Sequence, residues 1–321
     1  MQAFVSNWTR PYAVRCPDRP YQMTDFDLLT TVLSALVWRR KNGSIRMITD
    51  DTGAQYYRSL GLTDLWDGGI FTYLNDIPST IDPCTFWAAG KLYALAATPA
   101  PCVMLDTDFI VWHSLSEHWH RPLAVIHREA LNPAIYPAPS AFVLAPSYHF
   151  PTNWNWHEPA CNTALTYFGN DTLRKTYVGQ AMDFMQAARG RDGLIYMVFA
   201  EQRLLAMCAQ ACGVPIHAFS TEQDLFQGNQ RDFTHIWGFK QAMQEQPVSM
   251  SYFAKNVLRA SGRIFRFMQT YAKPSHSCSR IFSNTLICEK CTNKNIVFLI
   301  DFIQKSFIIK SGNTFEKVII V

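Results

Sequence analysis

A wholly apolar tetrapeptide, Cys102-Val103-Met104-Leu105, stops at two carboxylates, Asp106 and Asp108, with only Thr107 between them. A short apolar run bounded by turn residues is the pattern of a strand buried on both faces. Such strands belong to parallel sheets covered by helices on either side. The residues before it agree. Ala3 to Asn7 has the composition of a first strand, and Ile45 to Thr49 of a second. Between them, Asp25 to Arg40 carries Phe26, Leu29, Val32, Leu33, Leu36 and Val37 at helical spacing and ends on basic residues before Asn42-Gly43. Thr52 to Leu60 reads as a helix closed by Gly61, and Phe86 to Ala97 as a third. This β-α-β-α alternation predicts an α/β fold with a mostly parallel central sheet and helices on both faces.

The second half reads differently. Leu123 to His127 and Ala141 to Leu144 are strand candidates separated by Pro-rich turns, followed by helical stretches at Asp171 to Ala188, Leu194 to Cys212 and Ser249 to Tyr271. These give a helical C-terminal part. Composition then changes near Pro274. All nine Trp and all 17 Pro lie at or before that residue, and no Ala, Tyr or Met follows it. The division expected is therefore a domain over 1–273 and a tail over 274–321 that is dispensable for chemistry. The tail is an appendage, a membrane-associating segment, or the product of a shifted reading frame.

A chain of 321 residues accommodates a doubly wound core, and 48% apolar against 17% charged residues excludes a largely disordered polymer. The net charge of +4 is mild, with no basic run of the kind nucleic-acid binders carry, so no nucleic-acid partner is expected. Cys16, Cys84, Cys102, Cys161, Cys208 and Cys212 are scattered through apolar or helical stretches, as buried free thiols are. Met1 to Trp8 lacks a basic region followed by a long apolar core, and no segment reaches the length needed to span a bilayer. The expected setting is cytoplasmic, with peripheral membrane association as an option. Cys288 and Cys291 in the tail, with Cys278 and His276 upstream, supply four zinc-type ligands, but in a spacing that argues against a zinc site.

The acidic pair carries the chemistry. In open α/β sheets, ligands bind at the carboxyl ends of the strands. Carboxylates two residues apart, where a strand gives way to a turn, can both reach a hard cation such as Mn²⁺ or Mg²⁺. A bare D-x-D also arises by chance as two surface carboxylates in a turn; the apolar strand before this one favours a site. Far downstream, His235-Ile236-Trp237-Gly238-Phe239-Lys240 offers a neutral imidazole as a third ligand in His235. Gly238 would let backbone approach a phosphate, and Lys240 would supply a point charge. A structural histidine is the alternative for His235.

With its D-x-D after a central strand and a late H-x-x-G-x-K, the chain resembles GT-A (Rossmann-like) glycosyltransferases, most closely the retaining family 8 group that includes glycogenin and lipopolysaccharide glycosyltransferases. The resemblance spans roughly residues 1 to 270, and the last motif is one residue shorter than the family's H-x-x-G-x-x-K. It implies a metal-dependent enzyme moving a sugar from a nucleotide-sugar donor, UDP-linked by the family's habit, to a glycan, lipid or protein acceptor in polysaccharide or glycan assembly. Residues 1–112 would form the nucleotide-sugar half and 113–273 the acceptor half.

Carried over position by position, the resemblance places Ser6, Asn7, Trp8 and Tyr12 against the base and ribose, with core packing the alternative for Trp8. Asp50 and Asp51 would touch base or ribose, or else cap the helix that follows. Lys91, where the family more often has Arg, would reach the nucleotide, and Thr107 lies between the metal ligands. Asn162, in Ala160-Cys161-Asn162-Thr163-Ala164-Leu165, would contact the transferred sugar. Glu201 and Gln202 lie in a segment that resembles a D-Q-x-x-L stretch at the sugar's reactive face, with Glu201 in place of the Asp and an exposed helix charge the alternative for it. Trp154 and Trp156 in Asn153-Trp154-Asn155-Trp156 suit either a sugar-stacking platform or a loop anchor. Two rival readings rank below the transferase. One is a catalytically silent GT-A-like scaffold. The other is a haloacid-dehalogenase-like phosphatase, whose D-x-D-x-T/V follows the first strand, whereas at least two strand–helix units precede Asp106 here.

Overall fold

The computed structural model describes residues 1–236. The chain opens with β1 (Ala3–Asn7), the short helix α1 (Arg10–Arg15) and α2 (Asp25–Lys41), which Thr24 caps by accepting from the Asp27 N–H. β2 (Ile45–Thr49), α3 (Asp51–Ser59), the two-residue β3 (Ile70–Phe71), α4 (Ala89–Ala96) and β4 (Cys102–Leu105) follow. Next come β5 (Phe109–Val111), β6 (Leu123–Val125), β7 (Arg128–Glu129), β8 (Ala160–Cys161), β9 (Leu165–Phe168) and α5 (Asp171–Ala187). The described chain ends with α6 (Gly193–Val198), a π-helical turn (Phe199–Arg203), α7 (Leu204–Ala211), β10 (His217–Ala218), α8 (Glu222–Gln227) and β11 (Phe233–His235).

Seven strands form the main sheet in the order β10-β6-β9-β4-β1-β2-β3. β1 runs parallel to β2 and β4, β2 to β3, and β10 to β6; β9 is antiparallel to both β4 and β6. The expected mostly parallel sheet is therefore present, with one reversed strand set into its middle. Strand alternation sends side chains to two cores. Phe4, Cys102, Met104, Leu123 and Phe168 pack with α4, α5 and α7 on one face. Ala3, Val5, Val103 and Leu105 pack with α2 on the other. β4 is buried along its whole length, as its composition requires.

Several expected elements differ. Ala141 to Leu144 is not a strand: Pro139 starts a short 3-10 turn over Pro139–Ala141, and Leu144 makes a single bridge to Ala188. Val143 instead exchanges hydrogen bonds with the Tyr196 hydroxyl, which occupies groups a ladder would need. The helix expected over 86–97 begins at Ala89, because the Asp82 carboxylate takes the Cys84 N–H and the Thr85 hydroxyl in a preceding turn. The stretch 194–212 is helical but interrupted by the π turn at Phe199–Arg203. Cys102, Cys161 and Cys208 are buried free thiols as expected, whereas Cys84 and Cys212 are exposed. Among the described residues no helix is long and apolar enough to cross a membrane. The expected helix at 249–271, the tail from 274 and its Cys and His residues lie outside the described residues.

Candidate metal centre and active site

Parallel β1, β2, β4 and β6 deliver their carboxyl ends to one edge of the sheet, and antiparallel β9 brings its amino end there. The Asp106 N–H donates to the Ala164 carbonyl at 2.8 Å, and Asn162 and the stretch around His127 bond backbone to backbone. This edge assembles Asp106, Asn162 and Thr163 from distant parts of the chain.

After β4 the chain turns tightly, the Phe109 N–H returning to the Asp106 carbonyl at 3.1 Å, and re-enters as β5. β5 pairs antiparallel with β11 in a register that sets Phe109 opposite His235. That pairing carries His235 to Asp108, with Nε2 3.9 Å from Oδ1. Asp106, Asp108 and His235 each offer one ligand atom, all within 4.8 Å of one another. Ligands on opposite sides of one Mn²⁺- or Mg²⁺-sized ion, about 2.1 Å from it, lie about 4.2 Å apart. Two carboxylates and an imidazole thus fit such an ion with small adjustment, and the imidazole favours Mn²⁺ over Mg²⁺.

Lys91 on α4 reaches the same place. Its Nζ lies 2.7 Å from Asp106 Oδ1 and also donates to Glu201 Oε1. The approach of α4 depends on Gly90, where a Cβ would stand 2.7 Å from Trp8 Cβ. Glu201 is buried, not an exposed helix charge: Thr163 Oγ1 donates to its Oε1 at 2.7 Å, and the Tyr177 hydroxyl donates to its carbonyl at 2.6 Å. Burial pushes the Asp106 carboxyl up to about 7; Lys91 opposes this, while Asp108 and Glu201 add to it. Burial would lower the Lys91 ammonium, but the carboxylates of Asp106 and Glu201 more than offset it and hold it above the usual lysine range. Carboxylates crowded in this way accept a cation readily.

Beside this group lies a second network that the sequence did not disclose. Asn162 Nδ2 donates to Glu129 Oε1 at 2.9 Å, and the Tyr136 hydroxyl lies 2.6 Å from both Glu129 Oε2 and Gln202 Oε1. One hydroxyl proton cannot serve two acceptors. The charged carboxylate takes it, and the Gln202 amide turned over donates its N–H to the Tyr136 oxygen. Glu129, Tyr136 and Thr163 carried no signal in the sequence, because only tertiary contacts bring them here. Glu201 and Gln202 sit in the π turn, a distortion frequent at functional sites and the one local signal that structure adds.

The described residues among those expected to bind the nucleotide have varied surroundings. Ser6 is half-buried on β1, and Thr107 is half-buried in the turn between the two acids. Asn7 Nδ2 donates to the Tyr57 hydroxyl at 2.8 Å, and its Oδ1 accepts from Tyr21 at 3.0 Å. Trp8 is buried in the core over Gly90, in keeping with its packing alternative. The Tyr12 hydroxyl donates to the Pro20 carbonyl at 3.2 Å. Asp50 caps α3 through the Gly53 N–H and accepts from the Thr9 N–H and hydroxyl, so the capping alternative describes its bonds. Trp154 is buried in the core and the half-buried Trp156 stacks on Phe199 with centroids 5.6 Å apart, contacts of the kind the loop-anchor alternative describes. Gly238 and Lys240 lie outside the described residues.

No known family model and no curated protein matches the chain's sequence. Solved structures similar to it include glycosyltransferases. The apo form of mouse xyloside xylosyltransferase 1 is 10% identical over 68% of this chain and 85% of that one, with a TM-score of 0.37. The PaToxG glycosyltransferase is 10% identical over 95% and 85%, at 0.35. The galactosyltransferase LgtC, solved in complex with donor and acceptor sugar analogues, is 10% identical over 88% and 100%, at 0.34.

Proposed function

We propose that the chain is a divalent-metal-dependent glycosyltransferase that takes a sugar from a nucleotide-sugar donor, UDP-linked, and passes it to a glycan, lipid or protein acceptor with retention at the anomeric carbon. The convergence of Asp106, Asp108 and His235 at the carboxyl edge of the sheet supports this reading most directly. Residues 1–112 would hold the donor, and 113–273 the acceptor; the enzyme would work in the cytoplasm or against a membrane surface, without nucleic acid.

A bound Mn²⁺ or Mg²⁺ would supply charge stabilisation for the departing diphosphate. The chain's own residues do the rest. Asp106 and Asp108 present oxygens and His235 a neutral nitrogen from a turn and a strand that register fixes. Lys91 holds Asp106 and Glu201 in one arrangement, so the ligand carboxylate does not rotate away. Asn162, Gln202 and Glu201 face the transferred sugar, with Glu201 orienting hydroxyls through a carboxylate that Thr163 keeps in place. Ser6, Asn7, Trp8, Tyr12, Asp50, Thr107, Gly238 and Lys240 complete the nucleotide side.

Calorimetric titration with UDP tests the reading. Binding in the presence of Mn²⁺ that disappears on chelation supports it, and equal binding with and without metal removes it. Binding without turnover of any UDP-, GDP- or CMP-sugar selects the silent scaffold, and hydrolysis of a phosphomonoester selects the phosphatase.

A further inference from the structure

Arg203 closes the π turn directly after Gln202, and its side chain is only 2% exposed. The guanidinium lies between two rings, 5.9 Å from the Tyr136 centroid and 5.8 Å from that of Trp156. Its Nη2 donates to the Trp156 carbonyl, while Nε and Nη1 are buried with no hydrogen-bond partner among the described residues. Among the described residues no carboxylate forms an ion pair with it; the nearby Glu158 is taken by Arg128 at 2.6 Å, and Glu129 by Tyr136 and Asn162. A buried cation with two orphan donors, compensated by one carbonyl and two ring faces, costs stability, and a methionine of similar length would spare that cost. Residues that keep such a cost are commonly ones that function requires.

We propose that Arg203 is a positioning residue that fixes Tyr136, and through it Gln202, Glu129 and Asn162, for sugar transfer at the expense of fold stability. The geometry is specific. With its carbon 5.9 Å from the Tyr136 centroid and its Nη2 bound to the Trp156 carbonyl, the planar guanidinium restrains the Tyr136 ring against that loop. A tilted ring would release the hydroxyl that joins Gln202 to Glu129, and with Glu129 the Asn162 amide. Loops 130–136 and 153–157 are thereby held against the π turn that carries Glu201 and Gln202.

This inference rests on the glycosyltransferase reading, and its test separates the two. Hydrolysis of UDP-glucose and UDP-galactose with Mn²⁺, Mn²⁺ affinity and melting midpoint are measured for the full chain, Arg203→Met and Arg203→Lys. Arg203→Met should hold or raise the midpoint by roughly 2–4 °C while its kcat falls between about tenfold and a hundredfold and Mn²⁺ affinity stays unchanged. Arg203→Lys keeps the charge but loses the plane, so it should lose activity to the same degree with a midpoint no higher than wild type. Undiminished hydrolysis in Arg203→Met overturns the proposal. So does a lowered midpoint in that variant with activity loss matching the unfolded fraction, which marks a structural role alone. A wild-type chain that hydrolyses no UDP-sugar removes the glycosyltransferase reading and this inference with it.

Discussion

Lys91 Nζ lies 2.7 Å from Asp106 Oδ1, so the carboxylate that opens the candidate metal site is held by a largely enclosed ammonium on a helix that precedes its strand. The same ammonium binds Glu201 from the π turn some hundred residues later, joining the two halves of the chain across the sheet edge.

Replacing it with an apolar side chain leaves the buried Glu201 carboxylate and the half-buried Asp106 carboxylate without the cation between them. Lys91→Met should lower stability by about 3–5 kcal/mol, read from denaturant unfolding at neutral pH. Mn²⁺ should recover part of that loss, because the ion supplies charge beside Asp106. A variant as stable as wild type would show that the ion pair is not what holds these acids together.

Gly90 gives a second handle on the same contact. A methyl group there would meet Trp8 Cβ at 2.7 Å and Leu74 Cδ1 at 3.1 Å, and Trp8 is fixed in the core. Gly90→Ala gains up to about 1 kcal/mol in helix propensity, but displacing α4 should cost about 1–3 kcal/mol. The expected net is a lower melting midpoint together with weaker metal binding, since Lys91 moves with the helix. A raised midpoint would mean that α4 has room to spare.

The sequence made the frame of this site readable and left its interior dark. Ala3–Asn7, Ile45–Thr49 and Cys102–Leu105 are strands with the bounds their composition indicates, because short apolar runs between turn signals have few alternatives. Leu165–Phe168 is as buried as β4, yet its reversed direction depends on where the chain returns from, which no local pattern records. Asp106, Asp108 and His235 stood out because their chemistry is scarce in apolar surroundings. Glu129, Tyr136 and Thr163 did not, because each acquires meaning only from a partner more than six positions away. The resemblance places Lys91 at the nucleotide; its bonds to Asp106 and Glu201 are a feature of the fold that no local pattern records.

At the far edge of the sheet, the His217 ring on β10 stacks on His118 with centroids 5.2 Å apart, and its buried Nε2 has no hydrogen-bond partner among the described residues. Burial lowers the His217 imidazole from its ordinary value of 6.5, helped by Arg121, His118 and His120. Its neutral form is therefore favoured more strongly in the folded chain than in the unfolded one. The associated stability is fully present above pH 6.5 and is lost as pH falls below that toward the lowered folded value. Melting midpoints should decline on acidification through that window, and His217→Phe should flatten the decline. An unchanged slope in the variant would place the sensitivity elsewhere.

On the proposed reading, Asp106, Asp108 and His235 bind a metal that serves nucleotide-sugar chemistry. That reading is tested most directly by the release of UDP from UDP-glucose and UDP-galactose, measured with Mn²⁺ and with chelator for wild type and Asp108→Asn. Wild-type release should require Mn²⁺, and Asp108→Asn, folded with a similar melting midpoint, should lose it by about a hundredfold or more. Release at the wild-type rate in Asp108→Asn, or release that chelation leaves untouched, would contradict the account.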